Sequence, residues 1–263
     1  MDLKLSGKSA LVTGASQGLG YAIALGLAKE GVNIALNSRN EENLTTAVER
    51  LREETNVKIT LVPGDVTEAT ASEKIVGQVV HNLGGIDLLV TNSAGPPPGR
   101  FESFKDEQWY QSIDLVFMSH VRMIRAALPY LRDSSAASVL TLTSYAVKQP
   151  IPNLVLSNSI RAATIGLTKS LALELGTDNI RFNSILPAWT ETERVYQLMS
   201  DRAQRKGTSV QDEINQQAKE SPLGRLCKPE EVANAAVFLL SPAASYITGV
   251  MLTVDGGMNK GIF

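Results

Sequence analysis

The 263-residue chain predicts an α/β fold, a doubly wound parallel sheet of about seven strands with helices on both faces. Three observations predict it. Short runs of apolar and β-branched residues alternate with longer segments of helical pattern along the whole chain. Such alternation means βαβ units, whose crossover helices cover both faces of a parallel sheet. The first run ends in a glycine-rich turn that opens a helical segment. Finally, no linker, repeat or low-complexity tract divides the chain, so a single domain over residues 1–263 is expected.

The predicted elements follow in order. Strand Ser9–Val12 leads through the glycine turn into helix Leu19–Lys29. Strand Asn33–Leu36 precedes helix Glu41–Glu54, and strand Ile59–Val62 precedes helix Ala69–Asn82. Strand Ile86–Val90 is followed by Gly95-Pro96-Pro97-Pro98-Gly99, which is neither helix nor central strand because proline lacks an amide donor. Helix Asp106–Arg132, strand Ser138–Leu142, helix Leu154–Leu175 and strand Arg181–Ile185 come next. Residues 191–223 (Glu191 to Leu223) then form a long polar insertion with helical fragments such as Val210–Glu220. It follows a strand end, where ligands of such sheets bind, and is expected to act as a lid on the substrate side. Helix Pro229–Leu239 and strand Val250–Val254 close the chain.

Composition narrows the function classes. Hydrophobic residues make up 43%, charged residues 20%, and the net charge is −2. No basic excess points to nucleic acid or an anionic membrane. No apolar run has the length of a membrane span, and Met1 to Gly7 carries no apolar signal core. The single Cys227 makes no internal disulfide and fits a reducing compartment. A cytoplasmic protein acting on a small molecule is expected. With one cysteine and two distant histidines, no local metal-ligand spacing exists. His81 falls at a helix end, and His120 inside a helical stretch reads as a packing residue.

The turn Thr13-Gly14-Ala15-Ser16-Gln17-Gly18-Leu19-Gly20 spaces its glycines G-x-x-x-G-x-G. Glycine permits positive φ and close backbone approach to an anion, and the helix that follows offers free amides and partial positive charge. A nucleotide held by Gly14, Ser16, Gln17, Gly18, Leu19 and Gly20 is the expected ligand.

This spacing, with Thr in front, resembles the short-chain dehydrogenase/reductase family, and further matches follow in that family's order. Gly64-Asp65-Val66 resembles its adenine contact. Asn92-Ser93-Ala94-Gly95 resembles its N-N-A-G signature, with Ser93 for the second Asn. Leu140 to Ser144 is similar to its active-site strand. Leu186 to Thr192 resembles its P-G-x-x-x-T segment, with Ala188 for Gly. Thr248-Gly249 and Val254 to Gly257 are similar to its C-terminal strand. The resemblance spans essentially the whole chain and implies a Rossmann-like domain of 3-oxoacyl-reductase type. It assigns cofactor contacts to Asp65, Val66, Asn92, Ala94, Gly95, Pro187, Thr190 and Thr192. At the end of the second predicted strand, Ser38 stands where NAD-dependent members carry Asp, and Arg39 follows. An arginine fork holds a 2′-phosphate that an aspartate would repel, so NADP(H) is expected in preference to NAD(H).

The family's mechanism joins a Tyr that moves the proton, a Lys that lowers its pKa and binds the nicotinamide ribose, a Ser that orients the carbonyl, and an Asn. Here Ser144 matches the Ser, Ser157 stands for Tyr, Arg161 for Lys and Asp114 for Asn. Serine is far more basic than tyrosine and needs its own base, while arginine stays protonated. Arg161 is still expected to hold ribose hydroxyls, and Asp114 to pair with Arg161 or to act through water. Tyr145, next to Ser144, is expected on the opposite strand face unless the chain bends there. Pro96 to Pro98, Trp189 and the segment from Glu193 to Leu223 are expected around the substrate.

The leading expectation is an NADP(H)-dependent oxidoreductase of a carbonyl or alcohol, 3-oxoacyl-like by analogy, with a non-standard acid/base site. A catalytically silent NADP(H)-binding protein or oligomer subunit is the second reading, and a lyase-like relative the third. The resemblance also implies a homotetramer or homodimer built through Asp106–Arg132, Leu154–Leu175 and the C-terminal segment.

Overall fold

The computed structural model describes residues 1–262. Seven strands, β1 (Ser9–Val12), β2 (Asn33–Ser38), β3 (Ile59–Pro63), β4 (Leu88–Thr91), β5 (Ser138–Leu142), β6 (Arg181–Pro187) and β7 (Met251–Val254), form one sheet in the order β3-β2-β1-β4-β5-β6-β7. Every pairing is parallel. β1 lies between β2 and β4, with Val12 opposite both Leu36 and Val90. Crossovers leave in opposite directions from this point, which opens a crevice beyond the strand ends.

Alternation along each strand builds two cores. Ala10, Val12, Ile34, Leu36 and Val90 face α1 (Gly18–Lys29), α2 (Glu41–Glu54) and, at the end of the chain, the helix Pro229–Leu240. Leu11, Ala35, Leu89, Val139 and Phe182 face α3 (Ala71–Leu83) and the helix Ser119–Arg132. Near-continuous apolar strands are what a sheet covered on both faces requires.

The predicted single helix over Asp106–Arg132 is instead two, α4 (Asp106–Ile113) and α5 (Ser119–Arg132), joined by a π-helical turn at Asp114–Met118. The Val116 carbonyl in this wide turn accepts from Thr164 Oγ1 at 3.0 Å, which ties it to α6 (Val155–Glu174). The polar insertion folds as two complete helices, α7 (Glu193–Lys206) and α8 (Val210–Glu220). The buried Glu213 pins them: its carboxylate receives Lys206 Nζ at 2.9 Å and Thr208 Oγ1 at 2.7 Å.

α9 (Pro229–Leu240) packs on α1, where Gly26 admits Val237. Its last carbonyls need partners. Arg181 supplies them from β6, donating through Nη1 to Leu239 at 2.6 Å and through Nη2 to Leu240 and Ser241 at 3.0 Å each. Burial lowers its pKa to about 10, so it keeps its charge. No helix is long and apolar enough to cross a membrane among the described residues.

His120 packs as expected. It is fully buried on α5 and shares a 2.6 Å hydrogen bond between Nδ1 and Thr91 Oγ1, while its Nε2 has no partner. Burial first, and the charge of Arg161 second, lower its pKa to about 3. The folded imidazole therefore stays neutral while the unfolded one takes a proton below its ordinary value. Stability is complete above that value and falls as the pH drops toward the folded one, by about 2 kcal/mol near pH ~5. Urea unfolding between about pH 5 and 7 is expected to show this slope in the wild type and a flatter one in His120→Asn. An equal slope in both would refute the assignment.

Candidate active site

A cavity of about 450 Å³ opens beyond the C-terminal ends of β1, β4, β5 and β6. Its floor is the glycine turn. Gly14 adopts φ +58°, and a Cβ there would lie 2.8 Å from Asn92 Nδ2. A Cβ on Gly20 would run into the Gly14 carbonyl oxygen. The turn is locked to β4: Thr13 Oγ1 donates to the Asn92 carbonyl at 2.6 Å and accepts from Asn92 N at 2.8 Å. Asn92 Nδ2 donates to the Gly14 carbonyl at 3.1 Å. α1 starts at Gly18 with no side chain capping its first amides, which leaves those donors facing the cavity.

The donor set fits a dinucleotide. Gly14, Ser16, Gln17, Gly18, Leu19, Ser38, Arg39, Asp65, Val66, Asn92, Ala94, Gly95, Pro187, Thr190 and Thr192 all line the cavity. Gly20 acts from behind, through its packing on Gly14. The hydroxyls of Ser16 and Ser38 hydrogen-bond at 3.0 Å. Arg39 stands beside them, 65% exposed, with Nη1 held 3.6 Å from Asp65 Oδ2. Asn37, which the sequence reading passed over, also lines the cavity, and its buried Oδ1 has no partner. As the strand residue before Ser38, it carried no motif to mark it.

At the other end, Ser144, Ser157 and Arg161 share the same cavity. Ser144 follows β5 and accepts from Ala146 N at 3.2 Å, leaving its proton for a ligand. Arg161 and Ser157 are one helical turn apart on α6, and Arg161 Nε donates to Ser157 Oγ at 3.2 Å. Arg161 Nη1 donates to the carbonyls of Leu142 and Thr143 at 3.2 and 3.3 Å. Arg161 as a residue is 7% exposed. Burial, then the charge of Arg194, lower its pKa to about 10, still well above neutrality.

Asp114 is not brought into the site. It pairs with Arg122 at 2.8 Å and does not line the cavity, while its neighbour Leu115 does. Asp114 pairs with Arg122 rather than with Arg161. Tyr145 does reach the cleft, because β5 stops at Leu142 and a tight helical turn over Tyr145–Val147 breaks the strand alternation. Its hydroxyl accepts from Trp189 Nε1 at 2.9 Å, and burial raises its pKa. Arg194, at the start of α7, enters the cavity as well. Nothing in the sequence distinguished it from the other charges of the insertion.

Residues 14–259 match the family model described as enoyl-(acyl carrier protein) reductase. Dehydrogenase/reductase SDR family member 4 of Oryctolagus cuniculus is 35% identical over 254 residues, 96% of this chain and 94% of that protein. The chain belongs to the short-chain dehydrogenase/reductase family. The 2,3-dihydro-2,3-dihydroxybenzoate dehydrogenase of Bacillus subtilis is 33% identical over 258 residues, 98% of each chain. The crystal structure of L-sorbose reductase from Gluconobacter frateurii, complexed with NADPH and L-sorbose, covers 100% of both chains at 33% identity with a TM-score of 0.95. By class, this short-chain dehydrogenase/reductase is an oxidoreductase with a nicotinamide-dinucleotide fold.

The packing of Gly20 against Gly14 gives a direct check. Gly20→Ala is expected to destabilise the protein by about 2–3 kcal/mol and to abolish nucleotide binding, read by thermal melting and NADPH titration. An unchanged melting temperature with normal binding would contradict the geometry.

Proposed function

We propose that this protein binds NADP(H) in preference to NAD(H) and reduces a carbonyl group or oxidises the matching alcohol. One observation carries the proposal: Ser144, Ser157 and Arg161 line the same cavity as the glycine turn. The bound dinucleotide supplies or accepts the hydride. Ser144 orients the carbonyl oxygen. Ser157, accepting from Arg161, donates a hydrogen bond to that oxygen, and water supplies the proton in reduction or takes it in oxidation. Arg161 stays charged and offsets the negative charge that develops there.

The missing tyrosine shapes the acceptor. Tyr145 has a raised pKa, and Arg161 titrates at about 10, so neither is an efficient acid near neutrality. This favours, as a second reading, a carbonyl conjugated to a double bond. Hydride addition at the β-carbon moves the electron pair onto oxygen as an enolate. Arg161 and Ser157 hold that oxygen while water protonates the α-carbon. A simple ketone would leave a more basic alkoxide that needs its proton at once.

The preference for the extra phosphate is supported by Ser38 and Arg39 at the rim, and by the NADPH held by the related sorbose reductase. A homodimer or homotetramer is supported by the exposed Tyr110 of α4 and Leu173 of α6. A cytoplasmic location is supported by the single Cys227.

Titration of NADPH and NADH, followed by nicotinamide fluorescence, is expected to show selectivity for NADPH. Arg39→Glu is expected to weaken NADPH by about tenfold or more and to leave NADH nearly unchanged. Equal affinities in the wild type would sink the preference. In a panel of carbonyl, alcohol and enone substrates, at least one is expected to turn over, fastest among the enones if the second reading holds. Tight NADPH binding with no turnover would leave a silent nucleotide-binding protein.

A further inference from the structure

Two cationic side chains of the cleft have no salt-bridge partner, although the charge of Asp201 reaches Arg194. Arg161 and Arg194 both line it. Neither has a carboxylate oxygen within 4.0 Å among the described residues. Arg161 reaches only a hydroxyl and two carbonyls. Arg194 Nη2 donates to the Pro96 carbonyl at 2.8 Å, which leaves the rest of its fork open. Its guanidinium lies against Gly95, where a Cβ would come within 3.3 Å of Nε and Nη2. Neutral acceptors satisfy donors without cancelling charge, so the buried Arg161 and the half-buried Arg194 repel until an anion arrives. Burial lowers the pKa of both. Glu193 lines the same cleft but pairs with neither.

The approach to the cleft has the same sign. A second cavity of about 720 Å³ shares Tyr145, Trp189 and Leu198 with the first. Arg100, Arg202, Arg205 and Lys206 line it with Glu220; Arg202 and Lys206 lie 3.9 and 2.9 Å from the buried Glu213 carboxylate, which leaves Arg100 and Arg205 without a salt bridge among the described residues. This basic mouth occurs on a chain whose net charge is −2. A mouth of one sign attracts ligands of the other.

We propose that the substrate of this cleft carries a carboxylate, received by Arg194 and drawn in through the basic mouth, while Arg161 faces the carbonyl oxygen. The inference rests on the reading of the cleft as a reductase site and specifies its substrate class. An arginine fork matches the two oxygens of a carboxylate. The competing source of an oxyanion is the pyrophosphate of the dinucleotide, and the experiment separates the two.

The probes are 2-oxobutanoate, acetoacetate and 4-oxopentanoate with their methyl esters, titrated calorimetrically into the full chain with and without saturating NADPH. The acid nearest the true substrate is expected to bind at least about tenfold more tightly than its ester, and raising the salt concentration narrows the gap. Arg194→Met is expected to abolish the gap while NADPH binds as in the wild type. Equal binding of acids and esters, or binding of neither, overturns the proposal. So does an Arg194→Met variant that loses NADPH affinity but keeps the gap, because its guanidinium then serves the pyrophosphate. Should that variant not fold, Arg194→Lys and the salt dependence of the wild type decide. If no nucleotide binds, the reductase reading fails, and the acid-to-ester ratio on the free protein still tests the anion site.

Discussion

The hydroxyl of Thr13 holds together the two strand ends on which the ligand side of the molecule is built. It donates to the Asn92 carbonyl and accepts from the Asn92 amide, so β1 and β4 stay joined one residue past their ladder. Asn92 then reaches back to the Gly14 carbonyl, and Gly14 has no room for a side chain. The crevice of a doubly wound sheet is where its crossovers diverge, and nothing there resists splaying except such local bonds. With the lock in place, the phosphate turn and the wall at Ser93 to Gly95 keep a fixed spacing. Without it, the dinucleotide floor and the substrate wall would move independently.

What the sequence revealed and concealed follows from the range of the forces involved. The strands and helices were legible because periodicity and β-branched runs are local signals, and they held to within a few residues, from Ser9–Val12 to Pro229–Leu240. The glycine turn was legible because its conformation depends on its own residues. Asp114 pairs with Arg122 rather than Arg161, on a π turn whose Val116 carbonyl is bonded by Thr164 from another helix, a contact no local pattern announces. Tyr145 entered the cleft through a bend that the sequence reading could name only as a condition. Arg194 was invisible for the same reason: its role is set by Gly95 and Pro96, which lie far away along the chain.

The Ser157 and Arg161 pair shapes architecture as well as chemistry. Sequestering a guanidinium costs several kcal/mol, repaid only where its donors are satisfied. Arg161 meets that condition by bonding the carbonyls of Leu142 and Thr143, so it fastens α6 to the end of β5. Such a residue cannot drift freely after a loss of activity, since its removal leaves main-chain acceptors bare. The Ser157–Arg161 pair is therefore a built polar element that carries a lasting positive charge.

The covering helices rest on a core of their own. Tyr145, Trp189, Val195, Met199, Leu226 and Met258 form a cluster apart from those on the two faces of the sheet, and Arg202 stacks on Trp189 at 5.2 Å. Substitutions in α7 and α8 are felt mainly within that cluster. The wall built by α7 and α8 can therefore be repacked without disturbing either core on the sheet.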